Sequence, residues 1–217
     1  MRETLDNGTP IEIVRVEGAR RGLVVAPDIF SLRPLFDDLV ARFAADWGMT
    51  TVAVEPFPTE ELGPDIDPRF EAVARLDDSR VLGDLIAAAN ATGCDEVGLL
   101  GFCLGGMHCF KAADAGRFDR IASFYGMIHL PPAWAGPGQS EPLAHVAANP
   151  SPVLAVIGEL DPYTPRDAVA DLMATGAQVV RYADAEHGFA HDSSRPSHRA
   201  EDAADAFARS KAWLSGL

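Results

Sequence analysis

A chain of 217 residues, 47% hydrophobic and 23% charged, can bury a continuous sheet between helices as one domain, 1–217, without disulfides or structural metals. Its formal net charge of −14 disfavours nucleic acid and anionic membrane surfaces as partners. No stretch reaches the apolar length of a membrane span, and the opening Met-Arg-Glu-Thr-Leu-Asp lacks a signal-type apolar segment.

Apolar, β-branched-rich runs predict strands at Ile11–Val16, Gly22–Ala26, Thr50–Val54, Glu96–Leu100, Ile121–Tyr125, Val153–Ile157 and Gln178–Tyr182. The later runs are almost wholly apolar, as strands buried on both faces of a parallel sheet are. Between them the helical period predicts helices. Pro34–Trp47 opens on proline and closes before Gly48, and Ala72–Ala91 carries Val73, Leu76, Val81, Leu85 and Ile86. Leu104–Ala115, Pro165–Ala174 and Arg199–Leu214 follow. This alternation implies an α/β fold: a doubly wound, mostly parallel sheet with helices on both faces. Pro56–Pro68 and Gly126–Pro152 break the rhythm as long irregular connections. The three cysteines, Cys94, Cys103 and Cys109, are an odd set read as reduced thiols, so the expected location is cytoplasmic.

Gly101-Phe102-Cys103-Leu104-Gly105-Gly106 falls where the strand ending at Leu100 hands over to a helix. A nucleophile elbow needs this arrangement. The central residue sits on a strained turn, so its neighbours two before and two after must be small. The following helix points its free N–H groups and positive dipole end at the thiol, which stabilises a thiolate. Cys94, in a polar turn, and Cys109, inside the helix, read as packing residues. Cys103, His108 and Cys109 lack the spacing of a metal site, and no metal or cofactor is implied.

A nucleophile of this kind needs a histidine held by a carboxylate, in the chain order nucleophile, acid, histidine. Asp161 follows the strand Val153–Ile157, and His187 follows Gln178–Tyr182 in Ala185-Glu186-His187-Gly188-Phe189. Both therefore belong on the strand-end rim that carries Cys103, where open α/β sheets bind ligands. Glu159 could replace Asp161 but lies nearer the strand. His108, His129, His145, His191 and His198 lack this combination of order and position.

These motifs resemble the dienelactone hydrolase family, over nearly the whole chain from Gly22 to Leu214. The elbow, Phe124-Tyr125-Gly126, Gly158-Glu159-Leu160-Asp161 and Glu186-His187-Gly188-Phe189 carry the likeness. The resemblance implies a minimal α/β-hydrolase fold without a large cap domain. It implies Cys103 as nucleophile, His187 as general base and then acid, and Asp161 as its orienting partner. The oxyanion hole would use the N–H groups of Ile29 and Leu104. The family has a glutamate, in contact with the resting thiol, where this chain has the shorter Asp28. It also has a substrate-binding arginine four residues after the histidine, where this chain has His191. A second arginine is expected among Arg69, Arg75 and Arg80. Asp28, Phe30, Tyr125 and His191 are the expected substrate-binding residues, within a pocket also walled by Phe57, Trp134, Tyr163 and Phe189.

The implied activity is hydrolysis of a small carboxylic ester or lactone through a thioester on Cys103, by a monomer or small homo-oligomer. The rival readings are an acyltransferase or thioesterase on the same residues, and a non-catalytic ligand-binding or redox-sensing protein with a reactive Cys103.

Overall fold

The computed structural model describes residues 1–216. Eight strands form one sheet: β1 (Arg2–Thr4), β2 (Pro10–Val14), β3 (Arg21–Ala26), β4 (Thr50–Val54), β5 (Glu96–Phe102), β6 (Arg120–Phe124), β7 (Val153–Gly158) and β8 (Gln178–Tyr182). Their spatial order is β1-β2-β4-β3-β5-β6-β7-β8. β1 and β2 pair antiparallel, β2 pairs antiparallel with β4, and every later pairing is parallel. The helices are α1 (Pro34–Trp47), α2 (Ile66–Val73), α3 (Asp78–Ala91), α4 (Leu104–Lys111), α5 (Pro142–Ala148), α6 (Arg166–Ala174) and α7 (Ala200–Leu214). This is the doubly wound α/β-hydrolase arrangement. No helix among the described residues is long and apolar enough to cross a membrane.

Strand alternation sorts the core into two layers. On β3, Leu23 and Val25 face α1 and α7 beside Phe36, Phe43 and Ala206, while Val24 and Ala26 face the layer of α2 to α6 beside Leu85 and Met107. All six core strands therefore run out at one rim, and the loops leaving that rim carry the chemistry-bearing residues.

The expected helix Ala72–Ala91 is two helices. Asp77 caps α3 by accepting the N–H groups of Ser79 at 2.8 Å and Arg80 at 3.2 Å, which stops α2 and restarts the chain in a new direction. α2 begins at Ile66, within the stretch expected to be irregular. Pro68 lies in its first turn, where a missing N–H costs no helical bond. The long connection Gly126–Pro152 contains α5 and a 3₁₀ turn, Pro132–Trp134. β1 is a three-residue polar strand with no apolar run to signal it.

Helix α4 lies closer to the sheet than side chains would permit. A Cβ at Gly105 would stand 2.0 Å from the Ala26 carbonyl oxygen, and one at Gly106 would stand 2.7 Å from the Phe124 oxygen. Glycine is required there by contact with backbone. We expect Gly106→Ala to lower stability by about 3 kcal/mol in denaturant unfolding, because no side-chain movement relieves the clash. Gly83→Ala, inside α3 with nothing within 4 Å, has the opposite sign and should stabilise by up to about 1 kcal/mol.

Candidate active site

Cys103 joins β5 directly to α4 at φ 54°, in the left-handed region. Its N–H donates to the Phe124 oxygen at 3.0 Å, and its own carbonyl accepts from Met107 N–H at 3.0 Å. Tyr125 and Ser31 are the other two non-glycine residues with positive φ among the described residues; Tyr125 directly follows β6 and Ser31 lies in the loop from β3 to α1. Such backbone is costly and persists where surrounding structure holds it, most often at functional sites.

These strand ends surround a cavity of about 320 Å³. Its polar groups are Asp28, Cys103, His187 and Arg195. Its walls are largely apolar: Ile29, Phe30, Ile66, Phe70, Met127 and Trp134, with Tyr163 also lining it. The structure thus brings Cys103, His187, Asp28, Ile29, Phe30, Trp134 and Tyr163 together. It does not bring in Phe57, Tyr125, Phe189 or His191, which are buried behind the walls.

His187 Nδ1 donates to Asp161 Oδ2 at 2.8 Å. Asp161 is buried, and its second oxygen accepts the Tyr163 N–H at 2.8 Å. The loops carrying the pair are tied together by backbone: Leu160 N–H donates to the Ala185 oxygen at 3.0 Å and Glu159 N–H to the Tyr182 oxygen at 2.9 Å. Glu159, the alternative acid, pairs with Arg181 at 2.7 Å instead. Burial disfavours the charged His187 ring, but negative charge on Cys103 and on Asp161 outweighs it and raises the imidazolium to about 10.

Two backbone amides near the elbow have no acceptor among the described residues. Leu104 opens α4, so its N–H has no partner within the helix. Ile29 lines the cavity, and its N–H meets no acceptor among the described residues.

Asp28 accepts from Phe30 N–H at 2.9 Å, from both ends of the Arg33 guanidinium at 2.6 and 2.9 Å, and from His191 Nε2 at 2.8 Å. Burial would raise its carboxyl, but His191 and Arg33 hold it well below the usual carboxylate range. No hydrogen bond joins it to Cys103 among the described residues.

None of the three candidate arginines lines the cavity. Arg69 is buried and donates to the carbonyls of Leu62, Gly63 and Ile29 and to Ser31 Oγ. Arg75 pairs with Glu60, and Arg80 with Asp84. Arg195 supplies the cavity cation instead, with no salt-bridge partner among the described residues. It lies close over Gly188, where a Cβ would stand 2.2 Å from its Nη1. The sequence signal for it was slight: an arginine eight residues after His187, on the same polar loop.

The other histidines are engaged elsewhere. Buried His108 is pushed down to about 3 by desolvation, and His129 bridges Glu141 and Asp171, each at 3.1 Å. Ser140, His145 and Asp114 form a second serine–histidine–aspartate row, with both contacts at 2.9 Å. There, however, the Ser140 hydroxyl donates to Asp78 at 2.5 Å, so its oxygen accepts from His145 rather than giving it a proton. Among the described residues no group of three or more His, Cys, Asp or Glu side chains is arranged to hold a metal ion.

Residues 13–217 match the model of the dienelactone hydrolase family. A carboxymethylenebutenolidase of Rhodococcus opacus is 30% identical over 86% of this chain and 77% of its own. A Bradyrhizobium protein named as a candidate 2-oxo-3-(5-oxofuran-2-ylidene)propanoate lactonase is 28% identical over 85% of this chain and 79% of its own. A candidate dienelactone hydrolase of Klebsiella pneumoniae subsp. pneumoniae superposes with a TM-score of 0.83 at 25% identity, covering 100% of this chain and 99% of that one.

The electrostatics of His187 can be read directly by NMR of its ring Cε1–H. It should titrate near 10, and lower by about one to two pH units in Asp161→Asn, which removes the charge favouring the imidazolium. A titration left unmoved would separate the two residues. Because the folded value lies above the ~6.5 of an unfolded histidine, this contribution to stability is complete below that pH. It is lost as pH rises through about 10.

Proposed function

Since the chain belongs to the dienelactone hydrolase family and is a hydrolase of ester or lactone bonds, we propose that it cleaves them through an acyl-enzyme on Cys103. The observation that carries this reading is the buried Asp161–His187 pair, 2.8 Å apart, facing the elbow cysteine across one cavity.

The Cys103 thiolate attacks the substrate carbonyl, and the carbonyl π electrons move to oxygen. The resulting oxyanion is met by the N–H groups of Ile29 and Leu104, each donor contributing roughly 3–4 kcal/mol where such donors have been removed from other hydrolases. The tetrahedral species collapses to a thioester, and the His187 imidazolium gives its proton to the departing alkoxide. His187, now neutral, takes a proton from water as the water attacks the thioester. Collapse of that second tetrahedral species returns the thiolate and the imidazolium. Asp161 holds the ring with Nε2 toward the sulfur throughout.

The substrate reading follows from the cavity wall. A half-buried guanidinium without a carboxylate partner among the described residues, set among apolar and aromatic side chains, suits a small ester or lactone bearing its own carboxylate. The propanoate in the Bradyrhizobium relative's name is of that kind.

Against an activated aryl ester, Cys103→Ala and His187→Ala should each lose about a thousandfold or more in kcat/KM. Full activity in either variant would overturn the assignment. As pH rises through about 10, kcat should fall as the imidazolium loses the proton needed by the leaving group. Arg195→Met should raise KM about tenfold or more for a carboxylate-bearing lactone while leaving a neutral aryl ester within about twofold. Equal effects on both substrates would remove Arg195 from carboxylate recognition.

A further inference from the structure

Behind the cavity wall runs a buried polar chain that takes no part in the proton transfers above. Tyr125 Oη lies 2.5 Å from His191 Nδ1, and His191 Nε2 lies 2.8 Å from Asp28 Oδ2. The side chains of all three are buried, and the His191 ring stacks on Phe102 at 4.7 Å.

The direction of every bond is determined. Asp28 is a carboxylate and only accepts, so His191 Nε2 carries a hydrogen and donates to it. Desolvation disfavours a charged His191, leaving Nδ1 without a hydrogen, so Nδ1 accepts the Tyr125 hydroxyl. The chain therefore reads Tyr125 O–H to His191 and His191 N–H to Asp28, with one tautomer throughout.

Each end of this chain touches the catalytic apparatus. At one end the Tyr125 ring meets His187 edge-on, with centroids 5.2 Å apart, on backbone held at φ 40°. At the other, Asp28 precedes Ile29, whose N–H has no acceptor among the described residues. Asp28 Oδ1 holds Phe30 N–H from below, and Arg69 Nη1 holds the Ile29 carbonyl at 2.9 Å. Arg33 grips the Asp28 carboxylate from the solvent side, and His191 grips it from the interior. With the Phe30 N–H, these donors fix the plane of that carboxylate, and so the orientation of the peptide that follows it. Removing His191 would leave Asp28 Oδ2 to Arg33 Nη2 and take away the interior hold on the carboxylate.

We infer that Tyr125 and His191 are positioning residues which, through Asp28, aim the Ile29 N–H at the oxyanion. The inference rests on the Cys103 mechanism proposed above, and it assigns the geometry of this loop to transition-state stabilisation rather than to thiol activation. Asp28 has its acceptor sites filled by Phe30, Arg33 and His191 and takes no proton from Cys103.

The test separates these roles by chemistry. Attack on an aryl ester develops an oxyanion, whereas alkylation of Cys103 by iodoacetamide displaces iodide at a saturated carbon and develops none. His191→Phe keeps the ring packed against Phe102 and removes both hydrogen bonds. It should lower kcat for an aryl ester about 10- to 100-fold, with KM within about threefold and the alkylation rate within about twofold. Tyr125→Phe removes one hydroxyl and should follow in the same direction by about three- to tenfold, and it carries the prediction alone if His191→Phe does not fold. A kcat unchanged in the folded variant overturns the inference. So does an alkylation rate falling in step with kcat, which would return the chain to thiol activation. Failure of the underlying mechanism looks different: Cys103→Ala would then stay active.

Discussion

The site depends on backbone packed directly against backbone at the junction of β5 and α4. Cys103 can sit at φ 54° because its N–H is held by Phe124 and its carbonyl by the first turn of α4. That turn is held in turn by the approach of Gly105 to Ala26 and of Gly106 to Gly126, at distances no side chain would allow. The left-handed turn lifts the thiol off the sheet and sets the start of the helix beneath it. It also leaves the Leu104 amide without a helical partner, so backbone strain, the position of the Cys103 thiol and a free amide beside it share a single cause.

Two buried carboxylates flank this junction with unlike environments. Asp161 meets a single histidine and a backbone N–H, and its charge supports an imidazolium beside Cys103. Asp28 meets a histidine, a guanidinium and a backbone N–H, and is held firmly in its charged form. The first arrangement leaves His187 able to gain and lose a proton. The second leaves nothing to titrate and gives rigidity instead. Both histidines come from one loop, four residues apart, so its path decides which ring reaches the cavity and which is buried.

Arginine placement shows the same division. Arg69 satisfies carbonyls in the loops around Ile29 and Leu62, where buried acceptors would otherwise lack donors. Arg195 has no such acceptors among the described residues and lines the cavity. A guanidinium already committed to backbone carbonyls has little left with which to bind a substrate anion.

Much of the architecture was legible in the chain itself, because the signals are local. Apolar β-branched runs marked the core strands within one or two residues, and Thr50–Val54, Gln178–Tyr182 and Pro34–Trp47 have the expected bounds. The glycines around Cys103 announced a tight strand-to-helix turn, and chain order placed Asp161 and His187 at strand ends. The break at Asp77 was a local signal as well, but the apolar period running across it masked the cap. Which arginine reaches the cavity, which aromatics are walls and where His191 points were decided only by tertiary structure. Those are questions of side-chain direction and competing partners across residues far apart in the chain. Arg69 and Arg195 are the same residue type in polar surroundings, and the difference lies in the carbonyls that folding brings to one and withholds from the other.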